Sequence, residues 1–299
     1  MLFNFHSRLN RANLFAFFIV GVVFLLSACS ATGESTEIAP LASENGNNNS
    51  GDHKDSSETG TPQDLQTLLE YAEMVHFPAI TFARGSVEYK VSAYFISSTE
   101  VTQGLYETIM GSIAKEDYLG DDYPVFNVSW YDAVLFCNAL SKKVGLDTAY
   151  IYEPSSSVLK NLSVNYEVEA VRLPTEIEWE VAARAGTSTK YYWDTDVASK
   201  YAYYGQTKGP TTVASLVPNG AGLYDVAGNV AEWVNDWFAA YPTASQTNYA
   251  GPAEGAYKCV RGGGWSDKAS ALAPAEREKK SPEYRSQMVG FRIVYSTGF

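Results

Sequence analysis

Apolar residues at Trp130, Ala133, Val134, Cys137 and Leu140 recur with the spacing of one helical face. Ser129 precedes them as an N-cap with Asp132 at the reciprocal position, which predicts a helix from 129 to about Val144. Cys137 then belongs to the apolar face and is read as core. Thr175 and Glu178 form a second capping box, behind Pro174, for a helix ending near Gly186. Thr102 opens a shorter helix through Met110 that Gly111 stops. Upstream, Ile80–Ala83 and Tyr89–Ile96 read as strands joined by a Gly-containing turn. Beyond Gly186, Gly, Pro, Asn and aromatic residues dominate without helical periodicity, so long ordered loops and short strands are expected.

The N-terminus has a different pattern. Arg8 and Arg11 precede an apolar run of 13 residues, Leu14–Leu26, as in an export signal. Leu26-Ser27-Ala28-Cys29 resembles a bacterial lipobox, which would make Cys29 the acylated mature N-terminus and an anchor in the membrane. Residues 30–62 are polar, lack aromatics and cannot bury enough apolar area to offset chain entropy, so 29–62 is expected to be a disordered tether. This leaves 63–299 as one domain. Bacterial cell-envelope attachment, in the outer membrane and facing outward, is the localisation expected.

Charge narrows the partners. The net charge of −12 becomes −14 once Arg8 and Arg11 leave with the signal, which argues against nucleic acid. Cys137 and Cys259 remain after Cys29; a disulfide and two buried free thiols are equally compatible with the sequence.

The three histidines are His6, His53 and His76, so the main body offers no Ser-His-Asp triad and no histidine-rich iron or zinc site. Glu176, Glu178 and Glu180 cluster on the third helix. Their spacing by two points them apart, and they read as a cap plus a solvated face.

Four ordered motifs carry a family resemblance: Tyr123–Trp130 (YPVFNVSW), Arg172–Glu180 (RLPTEIEWE), Gly222–Trp233 (GLYDVAGNVAEW), and Arg261–Trp265 (RGGGW) with Val289–Val294 (VGFRIV). Together they resemble the formylglycine-generating enzyme/sulfatase-modifying-factor family over roughly 75–296. The resemblance implies an α+β, C-type-lectin-like fold with two main helices, small antiparallel sheets and long ordered loops. Enzymes of that family oxidise a substrate cysteine with copper held by two cysteines shortly after the Gly-Gly motif. Here that stretch reads Trp265-Ser266-Asp267-Lys268-Ala269-Ser270-Ala271-Leu272. Without the soft thiolates that select Cu(I), no catalytic residue and no catalytic cofactor are expected.

The family also holds calcium in the loop matching Asp225–Glu232. Carried over, Asp225 and Glu232 supply carboxylates and Gly228 and Val230 supply carbonyls. The alternative is that Asp225, Asn229 and Glu232 satisfy backbone groups in a tight loop.

The C-terminal segment is similar to that of the variable proteins of diversity-generating retroelements, which share this fold. Trp265, Ala275, Arg277, Pro282, Arg285 and Gly290-Phe291-Arg292 look like framework. Between them, Ser266, Asp267, Lys268, Ser270, Glu276, Glu278, Lys279, Lys280, Glu283, Tyr284, Ser286 and Gln287 are polar and chemically varied. With Trp265 as an anchor, these side chains are expected to form one exposed face for a protein or other macromolecular ligand on a monomer. An enzyme or accessory of the sulfatase-modifying type and a structural envelope lipoprotein are the alternatives.

Overall fold

The computed structural model describes residues 63–114, 117–153, 158–193 and 197–299; the signal, Cys29 and the tether lie outside the described residues. The elements run α1 (Gln63–Leu69), β1 (Met74–Phe77), β2 (Ile80–Arg84), β3 (Val87–Val91), β4 (Tyr94–Ser97), α2 (Gln103–Met110) and α3 (Trp130–Val144). There follow β5 (Asp147–Thr148), β6 (Tyr150–Glu153), β7 (Lys160–Val164), β8 (Ala170–Arg172) and α4 (Glu176–Arg184). The C-terminal part contributes β9 (Ala231–Trp237), β10 (Gln246–Thr247), β11 (Lys258–Arg261), β12 (Glu278–Lys280), β13 (Val289–Phe291) and β14 (Val294–Ser296).

Both main helices begin as their capping boxes require. The Ser129 backbone N–H donates to Asp132 Oδ2 at 2.7 Å while Ser129 Oγ accepts from Asp132 N at 3.2 Å. Thr175 and Glu178 repeat the pattern at 2.7 and 3.2 Å, so two otherwise orphaned donors are satisfied at each start. Glycines in the left-handed region end α2 and α3, at φ 85° and 88°.

One expected strand divides in two. Tyr89–Ile96 breaks at Ser92-Ala93, because β3 pairs with β2 whereas β4 pairs with β1 and β14 in another sheet. The strand orders are β1-β4-β14-β8-β5, β12-β11-β9-β13 and β10-β3-β2, with β6-β7 as a hairpin. Most pairings are antiparallel; β13 with β9, β5 with β8 and β10 with β3 are parallel. Among the described residues no helix is long and apolar enough to cross a membrane.

The core forms two clusters. In the first, α3 buries Trp130, Val134, Phe136, Cys137 and Leu140 against Trp233 and Phe291. The Trp130 indole donates to the Val234 carbonyl and the Trp233 indole to the Val128 carbonyl, each at 3.0 Å, so these buried polar edges are satisfied. The second cluster surrounds α4, whose Ile177 and Trp179 pack with Tyr94, Leu223 and Val234.

Helix α4 overturns the expectation of a solvated acidic face. Glu176, Glu178 and Glu180 are 1%, 3% and 0% exposed. The helix is covered on all sides, and each carboxylate meets an arginine from another segment. Arg172 grips Glu178 through two bonds of 2.7 Å. Arg261 on β11 reaches Glu176 at 2.6 Å and Glu180 at 2.9 Å, and Arg184 also bonds Glu180 at 2.9 Å. Spacing by two turns Glu178 away from Glu176 and Glu180, which lie one turn apart on the same face and share Arg261; both directions hold a cation.

Candidate functional site: the C-terminal segment and its supports

Strands β11 and β13 lie on either side of β9, and residues 262–288 connect them. Two arginines fasten this excursion. Arg277 binds Glu176 through Nε at 2.5 Å and Nη2 at 2.6 Å, donates to the Ala239 carbonyl at 2.8 Å, and lies 4.0 Å from the Tyr241 ring centroid. Burial alone would push the Glu176 carboxyl up; Arg261 and Arg277 outweigh it and hold it below the usual carboxylate range. Just past the segment, Arg292 is fully buried and clasps Glu232 at 2.7 and 2.8 Å. Gly290 passes so close to the Val125 carbonyl that any β-carbon there would collide with it.

On these supports the varied side chains face outward. Ser266, Lys268, Ser270, Glu276, Glu278, Lys279, Glu283, Tyr284 and Gln287 are exposed, and Asp267, Lys280 and Ser286 are half-buried. Trp265 is also half-buried, its indole donating to the Gln287 carbonyl at 2.9 Å, which ties the two ends of the segment together. Asp267 turns back to accept from Gly264 N at 2.8 Å. Asp267, Glu276 and Glu278 line a cleft of about 200 Å³ that Arg261 and Arg277 also border.

These side chains do not all share one face. Side chains alternate along β12. Glu278 and Lys280 pair at 2.5 Å on one side, with Lys280 4.8 Å from the Tyr284 ring centroid. Lys279 points the other way, toward Tyr257 and Phe238 at 5.3 and 5.7 Å. Arg285, expected as framework, is exposed and pairs with Asp132.

The structure adds neighbours that the sequence did not single out. Gly205 N donates to the Asp267 carbonyl at 3.0 Å and Gln206 N to the Trp265 carbonyl at 2.7 Å, so the segment around Tyr204 borders the face. The Tyr191 hydroxyl donates to the Ala269 carbonyl at 3.0 Å. These contacts join residues far apart in the chain and leave no local sequence signature.

Of the calcium set carried over from the family, Asp225, Gly228, Val230 and Glu232, the Glu232 carboxylate is wholly engaged within the protein and that of Asp225 in part. Both oxygens of Glu232 are committed, to Arg292 and to the Trp179 indole at 2.7 Å. Asp225 Oδ2 accepts from Ala214 N at 2.7 Å and Asn229 Oδ1 from Thr211 N at 3.0 Å, which is the backbone-satisfying arrangement for those two residues. Asp225 and Asn229 both take φ of 57°, a left-handed conformation that Asp and Asn tolerate, and Gly228 leaves no room for a β-carbon beside the Tyr203 carbonyl. Asp225 Oδ1 and Glu100 Oε2 are buried without partners. Burial pushes the Asp225 carboxyl up to about 6 and the Glu100 carboxyl well above its usual range, so a proton retained by this pair suits them. Among the described residues no group of three or more His, Cys, Asp or Glu side chains is placed to hold a metal. Calcium in millimolar excess is therefore expected to leave the calorimetric melting temperature unchanged; a rise that a chelator reverses would count against this assignment.

Cys137 and Cys259 are both free and buried. Cys259 Sγ lies 3.4 Å from Glu176 Oε2, and burial, reinforced by Glu176, pushes its thiol up. Burial does the same to Cys137.

A domain of α+β class whose two capped helices pack on small sheets, with a long excursion between neighbouring strands, defines a C-type-lectin-like protein. The chain belongs to the sulfatase-modifying factor enzyme 1-like domain family, whose profile matches residues 60–297. Its fold matches the solved structure of Treponema denticola variable protein 1 with a TM-score of 0.68 and 33% identity, covering 74% of this chain and 94% of that one. It is 28% identical to the formylglycine-generating enzyme of Bos taurus over 193 residues, 58% of this chain and 44% of the enzyme. It is also 40% identical to the serine/threonine-protein kinase pkn1 of Chlamydia pneumoniae over 127 residues, 41% of this chain but only 20% of that protein. The chain thus spans less than half the length of either of these two relatives.

Proposed function

We propose that this protein is a lipid-anchored, surface-displayed binding protein whose segment 264–288 presents the receptor face for a macromolecular ligand. The observation that carries the reading is the contrast within that segment. Its polar, chemically varied side chains are outside, while the residues that fix its path, Arg277 and the flanking Phe291 and Arg292, are bonded or buried. Such a backbone tolerates changed side chains without losing its course. Likeness to a variable protein supports the same reading. Trp265 and Tyr284 are the aromatic anchors on which binding energy would concentrate. No catalytic role is proposed for Cys137 or Cys259, since burial keeps both as unreactive thiols. Attachment through Cys29 places the domain at the envelope surface as a monomer, with residues 30–62 as spacer.

Exchanging Ser266, Lys268, Ser270, Glu276, Glu283, Tyr284 and Gln287 together is expected to redirect or abolish ligand capture while moving the melting temperature only slightly, each surface change staying within about 0.5 kcal/mol. A photo-crosslinking residue at 278, an exposed position outside the exchanged set, reads the capture in displayed protein, and calorimetry reads the stability. Unfolding on exchange, or undiminished crosslinking, would defeat the proposal. At the DNA level, a nearby near-copy of the 3′ end differing mainly at adenines, together with a reverse-transcriptase gene, is the expected accompaniment.

A further inference from the structure

Lys258 on β11 is 2% exposed, and among the described residues no carboxylate lies within ion-pair distance of it. Its Nζ donates to the Asn235 carbonyl at 2.8 Å and sits 3.8 Å from the ring centroids of both Trp130 and Trp237. Two indole faces favour the ammonium, but they carry no net negative charge. The acidic group acting most strongly on it is Asp236. Burial pushes its carboxyl well up, with Glu176 adding to the effect, so it is a poor counter-ion. Buried lysines are rare without a charged partner, and this one borders an open space.

That space is a cleft of about 280 Å³ lined by Leu162, Val164, Tyr166, Asn235, Trp237 and Pro252, with Lys258 in its wall. A second unspent donor faces the same region. Asn235 Oδ1 accepts from the Tyr150 hydroxyl at 3.0 Å, and in this orientation Nδ2 donates to the Tyr166 oxygen. The Tyr166 O–H must therefore point elsewhere, and it has no acceptor among the described side chains and carbonyls. Burial lowers the Lys258 ammonium to about 7, so an anion placed beside it would favour its charged form. The cleft thus combines a lysine without an ion-pair partner, a free hydroxyl donor and apolar walls, at a size below that of most drug-sized ligand pockets.

We propose that this cleft binds a small organic carboxylate, its anionic head between Lys258 Nζ and the Tyr166 hydroxyl and its apolar body against Trp237, Leu162 and Pro252. None of the varied residues of 264–288 lines it, so the site is independent of the receptor face. A carboxylate accepts from both donors at once and supplies the charge that Lys258 lacks. A neutral amide or an ammonium of the same shape does neither.

The test titrates benzoate and phenylacetate into the full chain while tryptophan emission is followed, because Trp130 and Trp237 flank the ammonium. Benzamide and benzylammonium are the neutral and cationic counterparts. A saturable change with the carboxylates alone is expected at millimolar concentration. Tyr166→Phe should weaken it about 5-fold, the worth of one hydrogen bond. Lys258→Met should weaken it by about 10-fold or more. If Lys258→Met does not melt cooperatively, Tyr166→Phe, which removes one oxygen, decides. No saturable response in the wild type, an equal response to benzamide, or undiminished binding by Tyr166→Phe each overturns the proposal.

Discussion

Replacing Arg292 by alanine is expected to cost about 3–5 kcal/mol of folding free energy, the usual result of breaking a fully buried ion pair from one side. Arg292 donates to both oxygens of Glu232, to the Ser97 carbonyl at 3.0 Å and to the Tyr224 carbonyl at 2.9 Å. Its removal leaves the Glu232 carboxylate with the Trp179 indole alone, and strips this partner from one carbonyl at the end of β4 and another in the loop before β9. A typical domain has about 5–15 kcal/mol in total, so the loss is a large fraction of it. Urea unfolding at neutral pH measures the change. The paired substitution Arg292→Met with Glu232→Leu should recover a substantial part, because it abolishes the buried charges as well as their attraction. A shift below about 1 kcal/mol for Arg292→Ala would mean that the pair is not what holds the loop.

Arg261→Ala is expected to be of similar size, about 3–5 kcal/mol, because Arg261 alone joins Glu176 to Glu180 and also reaches the Pro274 carbonyl. Arg277→Ala should cost less, about 1–3 kcal/mol, since Arg277 is only half-buried and water can take its place. Its effect should be local. Without Arg277, residues 273–280 lose their tie to α4, and amide exchange should quicken there while α3 and β9 stay protected. Equal loss of protection in α3 would show that Arg277 supports the whole domain. The two arginines thus separate stability of the fold from order of the receptor face.

The helices were legible because their signals are local. Ser129 with Asp132, Thr175 with Glu178, and the closing glycines act within a turn of themselves. Glu176 and Glu180 were misread for the opposite reason. Apart from Arg184, four residues after Glu180, the partners named above, Arg261 and Arg277, arrive from 81 or more residues away, and helical spacing carries no information about what covers a helix. The division of Tyr89–Ile96 was hidden likewise, since a strand looks continuous in sequence when its two halves join different sheets. In the C-terminal segment most of the polar positions are exposed, but Asp267, Lys280 and Ser286 are half-buried and the short strand β12 sends Lys279 away from Glu278 and Lys280. Glu232 reads equally well as a metal ligand and as the partner of Arg292 until the fold brings position 292 beside it.

Because β11 and β13 are both neighbours of β9, the chain leaves and rejoins one sheet at adjacent points, and what lies between is a closed detour that returns to the sheet edge through β12. Such a detour behaves as an interchangeable cassette. A segment grafted between Arg261 and Val289 needs to supply an arginine for Glu176, an apolar residue in place of Leu272, which belongs to the second hydrophobic cluster, and a small residue where Gly264 meets Met288; the exposed positions between them are free to vary. For protein engineering this makes the domain a loop-presentation scaffold whose junctions are already set by two buried arginines.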